Sequence, residues 1–312
     1  MSHRAHEFLV SSEAVSARHF AKPTPMREVE HGLLVKFELD NAGSSHKVRA
    51  ARHIVRRGVV TGGIVPSVTT VIEKTGGSFG FGLVLACAEI QVSVELAVGL
   101  SFSEKKRRCL EQFGATLIGI HRLRAGATPR EVVEWHLANQ AELDKQYFYT
   151  DQFNNPGSLE AHELETGPEI ATQIRAAWPD VESLTFVSCA GTGAHMTGIA
   201  RALKAAGYQI ESVLVEPAGC DSRNGVFVDH RLEGIAVGVK PPLLDWNIVD
   251  RVCHVTHDQM LAERKRFVKA HGWYVGNTSA ACLSAAARCV AQSNHRHKVL
   301  TLAYDHGLWY DA

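Results

Sequence analysis

The chain has 312 residues and seven cysteines but no C-x-x-C pair. Cys87, Cys109, Cys189, Cys220, Cys253, Cys282 and Cys289 form an odd, widely spaced set, which excludes a zinc ribbon and a thioredoxin-type redox pair. Most lie in apolar stretches, as in Leu85-Ala86-Cys87-Ala88, and read as reduced core thiols of a cytoplasmic protein. Net charge is also missing, with Lys+Arg and Asp+Glu at 33 each. A balanced surface attracts few phosphates unless its charge is segregated, so a general nucleic-acid partner is not expected. No apolar run reaches the roughly 18 residues of a membrane span, and no membrane partner is expected. The start, Met1-Ser2-His3-Arg4-Ala5-His6, lacks the apolar core of a secretory signal. G-x-x-x-x-G-K-[ST] and H-E-x-x-H are absent, and neither Gly191-Thr192-Gly193 nor Gly80-Phe81-Gly82 continues into G-x-G-x-x-G. The 17 histidines are scattered, and the densest cluster, His295-Arg296-His297, reads as solvated loop, so no metal is expected.

What is present is an ordinary globular composition, 45% hydrophobic and 21% charged, in a chain long enough for two domains or one large one. Short apolar runs alternate with helical stretches. Residues 93–100, 115–120, 184–190, 209–215, 251–256 and 299–304 read as strands. Ser101-Phe102-Ser103-Glu104 has the S-x-x-E form of a capping box, opening a charged helix that Gly114 ends. Further helices are expected from the loop after 190 to about 206, over 258–271 and over 278–291. Strand–helix repetition of this kind argues for an α/β fold with mostly parallel sheets. The aromatic, polar segment 147–156 (YFYTDQFNNP) reads as a connector between domains.

Four clusters carry the chemistry. Ala190-Gly191-Thr192-Gly193-Ala194-His195 lies between a strand and a helix, where small residues let amides approach an anion such as a phosphate monoester; the plainer reading is a tight turn. Asn41-Ala42-Gly43-Ser44-Ser45-His46-Lys47-Val48-Arg49 places a lysine at a helix start. Such lysines are ordinarily solvated, yet this placement beside Arg49 also suits a depressed amine pKa. Thr75-Gly76-Gly77-Ser78-Phe79-Gly80 again leads into a helix; its amides and hydroxyls suit a carboxylate, or it is a flexible turn. Gly276-Asn277-Thr278-Ser279-Ala280-Ala281 puts a hydroxyl pair at a helix start, which alone is an N-cap.

Taken in order, these clusters resemble the pyridoxal-phosphate enzymes of fold type II, above all the cysteine synthase (O-acetylserine sulfhydrylase) and cystathionine β-synthase family. Lys47 falls on the lysine of the family's N-P-x-G-S-x-K-x-R, which binds the cofactor aldehyde. Residues 75–80 fall on its T-S-G-N-T-G substrate loop, residues 191–195 on its G-T-G-G-T phosphate loop, and Thr278-Ser279 on its S-S-G pair, where a hydroxyl faces the pyridine nitrogen. Lesser matches fill the gaps: Tyr147-Phe148, Gln152-Phe153-Asn154-Asn155-Pro156, His162, Thr166-Gly167-Pro168-Glu169-Ile170, residues 233–238 (EGIAVG) and Val249-Asp250-Arg251-Val252. The resemblance runs from about Thr24 to the C-terminus. It departs at Ser78 (asparagine in the family), Phe79 (threonine), Ala194-His195 (Gly-Thr), Ala236-Val237 (Gly-Ala) and Val48. His46 is similar to a histidine of the tryptophan synthase β subunit that lies against the phosphate.

The resemblance implies two three-layer α/β domains of the tryptophan synthase β type, with mostly parallel sheets. A small substrate-closing domain would span 46–150, and a large phosphate-binding domain 1–45 plus 151–312. It implies pyridoxal 5'-phosphate held by Lys47, His46, Ser78, Gly191, Thr192, Gly193, Ala194, His195 and Thr278 or Ser279, with Thr278 favoured at the pyridine nitrogen. Thr75, Gly76, Gly77, Ser78, Phe79, Gln152 and Gly234 would bind the substrate, and Lys47 would be the catalytic base. The implied reaction is β-replacement on an O-acetyl- or O-phosphoserine-like donor through an α-aminoacrylate, with a small nucleophile, giving cysteine or another β-substituted alanine. A neutral hydroxyl at the pyridine nitrogen weakens the electron sink, which favours elimination and replacement over transamination. The alternatives are a 2,3-diaminopropionate-type synthase, a β-eliminating lyase or dehydratase and, outside enzymes, a regulatory binding protein on the same fold. A homodimer is what the family implies.

Overall fold

The computed structural model describes residues 22–310 except Gly76 and Ser103. Its strands are β1 (Met26–Glu30), β2 (Leu33–Phe37), β3 (Thr69–Lys74), β4 (Ser93–Ala97), β5 (Thr116–Leu117), β6 (Gln146–Tyr149), β7 (Ser183–Cys189), β8 (Gln209–Pro217), β9 (Arg251–Val255) and β10 (His297–Ala303). The chain divides into two compact units, one containing Asn41–Gly157, the other Pro23–Asp40 with Ser158–Ala312.

The first unit holds a four-stranded sheet in the order β5-β4-β3-β6, parallel throughout. β3 and β4 are buried almost along their length, as expected of interior strands covered on both faces. Ile72 and Ala97 pack with Val132 and Val133 of helix Pro129–Ala138. That helix begins with a capping box, in which Thr128 and Glu131 satisfy each other's amides. The expected strand over 115–120 shrinks to the two-residue edge β5, because Gly119 turns left-handed and opens the next helix. The first three residues of the segment expected as a connector enter the sheet: Gln146–Tyr149 is β6, whose three consecutive aromatics suit a strand, and the division between the units falls just after the segment, at Gly157 and Ser158. Phe102, which a box at Ser101 would place in the charged helix, lies outside it; that helix is described from Glu104, and Ser103 lies outside the described residues.

The second unit is a six-stranded sheet, β1-β2-β10-β7-β8-β9, in which only the β1–β2 pair is antiparallel. Leu34, Phe186, Val187, Val213, Leu214, Leu300 and Leu302 make its core, all fully buried. A buried ion pair anchors it. Lys36 on β2 is fully buried and donates to Thr24 O (2.6 Å), to Gln173 Oε1 (2.8 Å) and to the Glu169 carboxylate. That ion pair explains the T-G-P-E-I motif: its glutamate pins helix Gly167–Ala177 to the sheet. The V-D-x-V motif is structural in the same way, since Asp250 accepts from Ser212 N on β8 at 2.7 Å. His297, expected in a loop, is the first residue of β10, where it bonds Ser183 and Thr185.

All seven cysteines are free thiols, five of them buried. Among the described residues no helix is long and apolar enough to cross a membrane, and no cluster of three or more His, Cys, Asp or Glu is placed to hold a metal.

Candidate active site

Parallel α/β sheets bind ligands outside the carboxyl ends of their strands, where the strand order reverses. Each unit has one such point. In the first the chain runs outward from β3 through β4 to β5 on one side, and β6 lies on the other, so the reversal falls between β3 and β6. In the second, β8 and β9 lie to one side of β7 and β10 to the other, and the reversal falls between β7 and β10.

At the first point β3 leads into residues 75–79 and β6 into Gln152. Thr75 is buried, and its amide extends the ladder to Ala97 O (3.2 Å). Gly76 lies outside the described residues. Gly77 precedes helix Ser78–Ala88, which has no side-chain cap, so the amides of its first turn have no acceptor within the helix. Phe79 is almost fully buried in that helix. Gln152 donates through its backbone amide to Glu73 Oε2 (3.1 Å) and through Nε2 to Lys74 O (3.4 Å). Lys47 is the first residue of helix Lys47–Val60; His46 before it is buried and contributes no side-chain cap, and Ser45 Oγ accepts from Lys47 N at 3.3 Å.

At the second point β7 ends in the 190–195 loop. Gly193 has φ 88° and opens helix Ala194–Ala205 with no side-chain cap. A Cβ there would fall 2.4 Å from Leu244 N. A Cβ on Gly191 would fall 2.7 Å from Gly234 O, a contact real side chains do not make. Both positions therefore require glycine. Thr192 Oγ1 accepts from Ala194 N (3.2 Å), and Thr192 O accepts from Leu243 N (2.9 Å), which fixes the loop from both sides. Ala236 N donates to Ala190 O at 3.2 Å, so the 233–238 segment lies along the loop.

The same segment meets the hydroxyl pair. Thr278 Oγ1 donates to Glu233 O at 2.8 Å, on helix Asn277–Ala287. Ser279 is fully buried, and its Oγ accepts from Tyr304 N at 2.8 Å, just past β10. The two hydroxyls thus do different work: Ser279 closes the end of the sheet, and Thr278 belongs to the loop side. His195 is buried with its ring 5.1 Å from that of Tyr304. Burial works to raise the Cys189 thiol beneath it, but hydrogen bonds from Cys282 and His195 outweigh that and hold it below the usual range.

Motif reading missed one acid in each unit. Glu73, at the last turn of β3, is fully buried. Asp305 follows β10; a Cβ on Gly276 would fall 2.1 Å from its Oδ1, and its Oδ2 accepts from Tyr310 OH at 2.6 Å. Isolated acids beside apolar runs carry no spacing signal, and only their place at the strand ends draws attention to them.

Taken unit by unit, the donor groups are of the kinds pyridoxal phosphate needs. An uncapped helix start with a glycine-only approach suits a phosphate, and the second uncapped helix start suits a carboxylate. Thr278 is a neutral hydroxyl rather than an acid, and Lys47 is a primary amine at a helix start.

Comparison with known proteins agrees. The family model described as "Pyridoxal-phosphate dependent enzyme" matches residues 17–305. A cysteine synthase of Staphylococcus aureus (strain Mu50 / ATCC 700699) is 30% identical over 279 residues, covering 88% of this chain and 86% of the relative. The O-acetylserine dependent cystathionine beta-synthase of Helicobacter pylori superposes with a TM-score of 0.76 at 25% identity, covering 94% of this chain and 91% of that one. An O-ureido-L-serine synthase matches with a TM-score of 0.79 at 21% identity, covering 97% and 92%, a likeness of fold. The non-enzyme reading is thereby set aside. The chain belongs to the pyridoxal-phosphate dependent enzymes, with the type II fold of the cysteine synthase and cystathionine β-synthase group.

Proposed function

We propose that the enzyme replaces the β-substituent of a serine-derived amino acid, an O-acetyl- or O-phosphoserine-like donor, with a small nucleophile, giving cysteine or another β-substituted alanine. The observation that carries this reading is the division of the hydroxyl pair. Ser279 is committed to Tyr304 N, which leaves Thr278, whose proton goes to Glu233 O, as the hydroxyl for the pyridine nitrogen. An unprotonated pyridine nitrogen only accepts, so Thr278 would turn its proton from Glu233 O to that nitrogen, and a neutral hydroxyl does not hold a pyridinium as a carboxylate does. That bias favours elimination and replacement.

When bound, the cofactor supplies the electron sink for loss of the Cα proton and the β-substituent. Lys47 would hold its aldehyde and would supply the base for the Cα proton. Residues 191–195 hold the phosphate, aided by the dipole of helix Ala194–Ala205. Residues 75–79 and Gln152 hold the substrate carboxylate. Assigning substrate closure to residues 46–150 and a homodimer to the assembly is part of the same proposal. Ser78, Phe79 and Val237 depart from the family pattern and favour a specialised biosynthetic product over housekeeping cysteine; a nitrogen nucleophile, as in a 2,3-diaminopropionate-type synthase, is the alternative within that reading.

The test starts from the yellow holoenzyme. Borohydride reduction followed by peptide mapping is expected to tag Lys47, and Lys47→Ala is expected to abolish both tag and colour. O-acetyl-L-serine or O-phospho-L-serine should then shift the absorbance, and sulfide or an amine should discharge it with a β-substituted alanine as product. A tag on another lysine, or no response to either donor, overturns the reading.

A further inference from the structure

The pairing of β3 with β6 ends at Ile72 and Tyr149, with Thr150 N still donating to Ile72 O at 3.3 Å. One residue further on, the Glu73 carboxylate takes over from the backbone. Its Oε2 accepts from Thr150 Oγ1 (2.6 Å) and from Gln152 N (3.1 Å), and its Oε1 accepts from Lys74 N (2.9 Å). Gln152 Nε2 returns to Lys74 O, so Gln152 is tied to the end of β3 twice. Glu73 and Thr150 are fully buried. Burying a carboxylate destabilises a fold relative to an apolar residue of similar size, so a role in the sheet alone does not call for one. Every one of its hydrogen bonds goes to the two segments that start the 75–79 loop and carry Gln152.

We propose that Glu73 is a positioning residue for the substrate carboxylate: its ionised side chain fixes Gln152 beside the 75–79 loop, and amino-acid affinity therefore depends on its charge. This rests on the reading above that these two segments hold that carboxylate. Ionised, Glu73 only accepts, which matches three donors. Protonated, one oxygen becomes a donor: the Thr150 hydroxyl can turn to accept from it, but the Gln152 and Lys74 amides cannot, and their bonds to the carboxyl lose the assistance of its charge. The groups acting on it are Lys74, next along β3, which favours its charge, and Tyr149 on β6, whose phenol is itself flanked by Asp151 and Arg130; Leu96 takes the matching position on β4. Burial pushes its pKa up to about 7, so the change falls in an accessible range.

The experiment titrates wild-type and Glu73→Gln holoenzymes at pH 6 and pH 8, following cofactor absorbance. The probe is whichever of L-serine, O-acetyl-L-serine and O-phospho-L-serine shifts the wild type most, together with its α-methyl ester. At pH 8 the variant is expected to bind the acid about tenfold more weakly, the size of one lost hydrogen bond to a charged group. At pH 6 the ratio of variant to wild type should fall toward one, because protonated Glu73 resembles glutamine, and the ester should bind both proteins equally at each pH. A ratio that does not change with pH, or an ester weakened as much as the acid, overturns the proposal and makes Glu73 merely structural. If Glu73→Gln lacks the near-UV signature of the fold, Thr150→Val decides in its place: selective weakening of the acid supports the proposal, and equal affinities refute it. A wild type that answers none of the three amino acids overturns the substrate reading itself, and this inference with it.

Discussion

Ser279→Ala and Thr278→Val remove the same chemical group from neighbouring residues and should fail in different ways. Ser279 Oγ is the acceptor for Tyr304 N, and both residues are at most 1% exposed. No water reaches the orphaned amide, so the variant carries the full penalty of an unsatisfied buried donor, about 1–3 kcal/mol. For a chain of this size each kcal/mol lowers Tm by roughly 2–4 °C, so a fall of about 2–12 °C is expected in differential scanning calorimetry. The cofactor absorbance maximum should not move. Thr278 Oγ1 instead donates to Glu233 O, on an exposed residue whose carbonyl can turn to solvent. Thr278→Val should therefore change stability by no more than about 1 kcal/mol. It should, however, shift the absorbance of the holoenzyme and lower its elimination rate, because the hydroxyl donor to the pyridine nitrogen is lost. If Ser279→Ala moves the spectrum and Thr278→Val does not, the assignment of the pair is reversed. If Ser279→Ala melts with the wild type, the argument from the buried amide is wrong.

Other expectations follow from single contacts. Gly191→Ala places a methyl 2.7 Å from Gly234 O. Overpacking of this kind amounts to about 1–3 kcal/mol, so equilibrium dialysis should show pyridoxal phosphate held about tenfold or more weakly, while the circular dichroism spectrum stays that of the wild type. Lys36→Met leaves the Glu169 carboxylate without its buried cation. Losing one partner of a buried pair destabilises by about 3–5 kcal/mol, and urea midpoints should fall accordingly; an unchanged midpoint would show that the pair contributes nothing. Glu73 has a folded pKa raised by burial from 4.5 to about 7. Between those values the folded chain keeps a proton that the unfolded chain has lost. The contribution is fully present below pH 4.5 and is lost as pH rises through 7, amounting to about 3 kcal/mol. Unfolding free energy of the wild type relative to Glu73→Gln should therefore decline from pH 5 to pH 8, and a flat difference would contradict the buried acid.

Much of this protein was legible from residue order alone. Alternating apolar runs and helical stretches are local signals, and they indicate a parallel α/β fold because buried strands must read as continuous hydrophobic runs. β7, β8 and β10 lie close to their expected limits for that reason. The cofactor class was legible because glycine spacing, a lysine at a helix start and a hydroxyl pair recur in fixed order. Edges and ends were less so. β6 looked like a connector because an edge strand of aromatics has no apolar run to announce it, and β5 shortened where Gly119 turned the chain. Only tertiary structure decided that Ser279 serves the sheet while Thr278 serves the loop, since adjacent hydroxyls are equivalent until one meets Tyr304 N. It alone singled out Glu73 as well: a lone acid in an apolar run has no spacing to read, and its meaning comes from β6, whose return beside β3 brings Thr150 and Gln152 to a carboxylate nearly eighty positions earlier, |i−j| being 77 and 79.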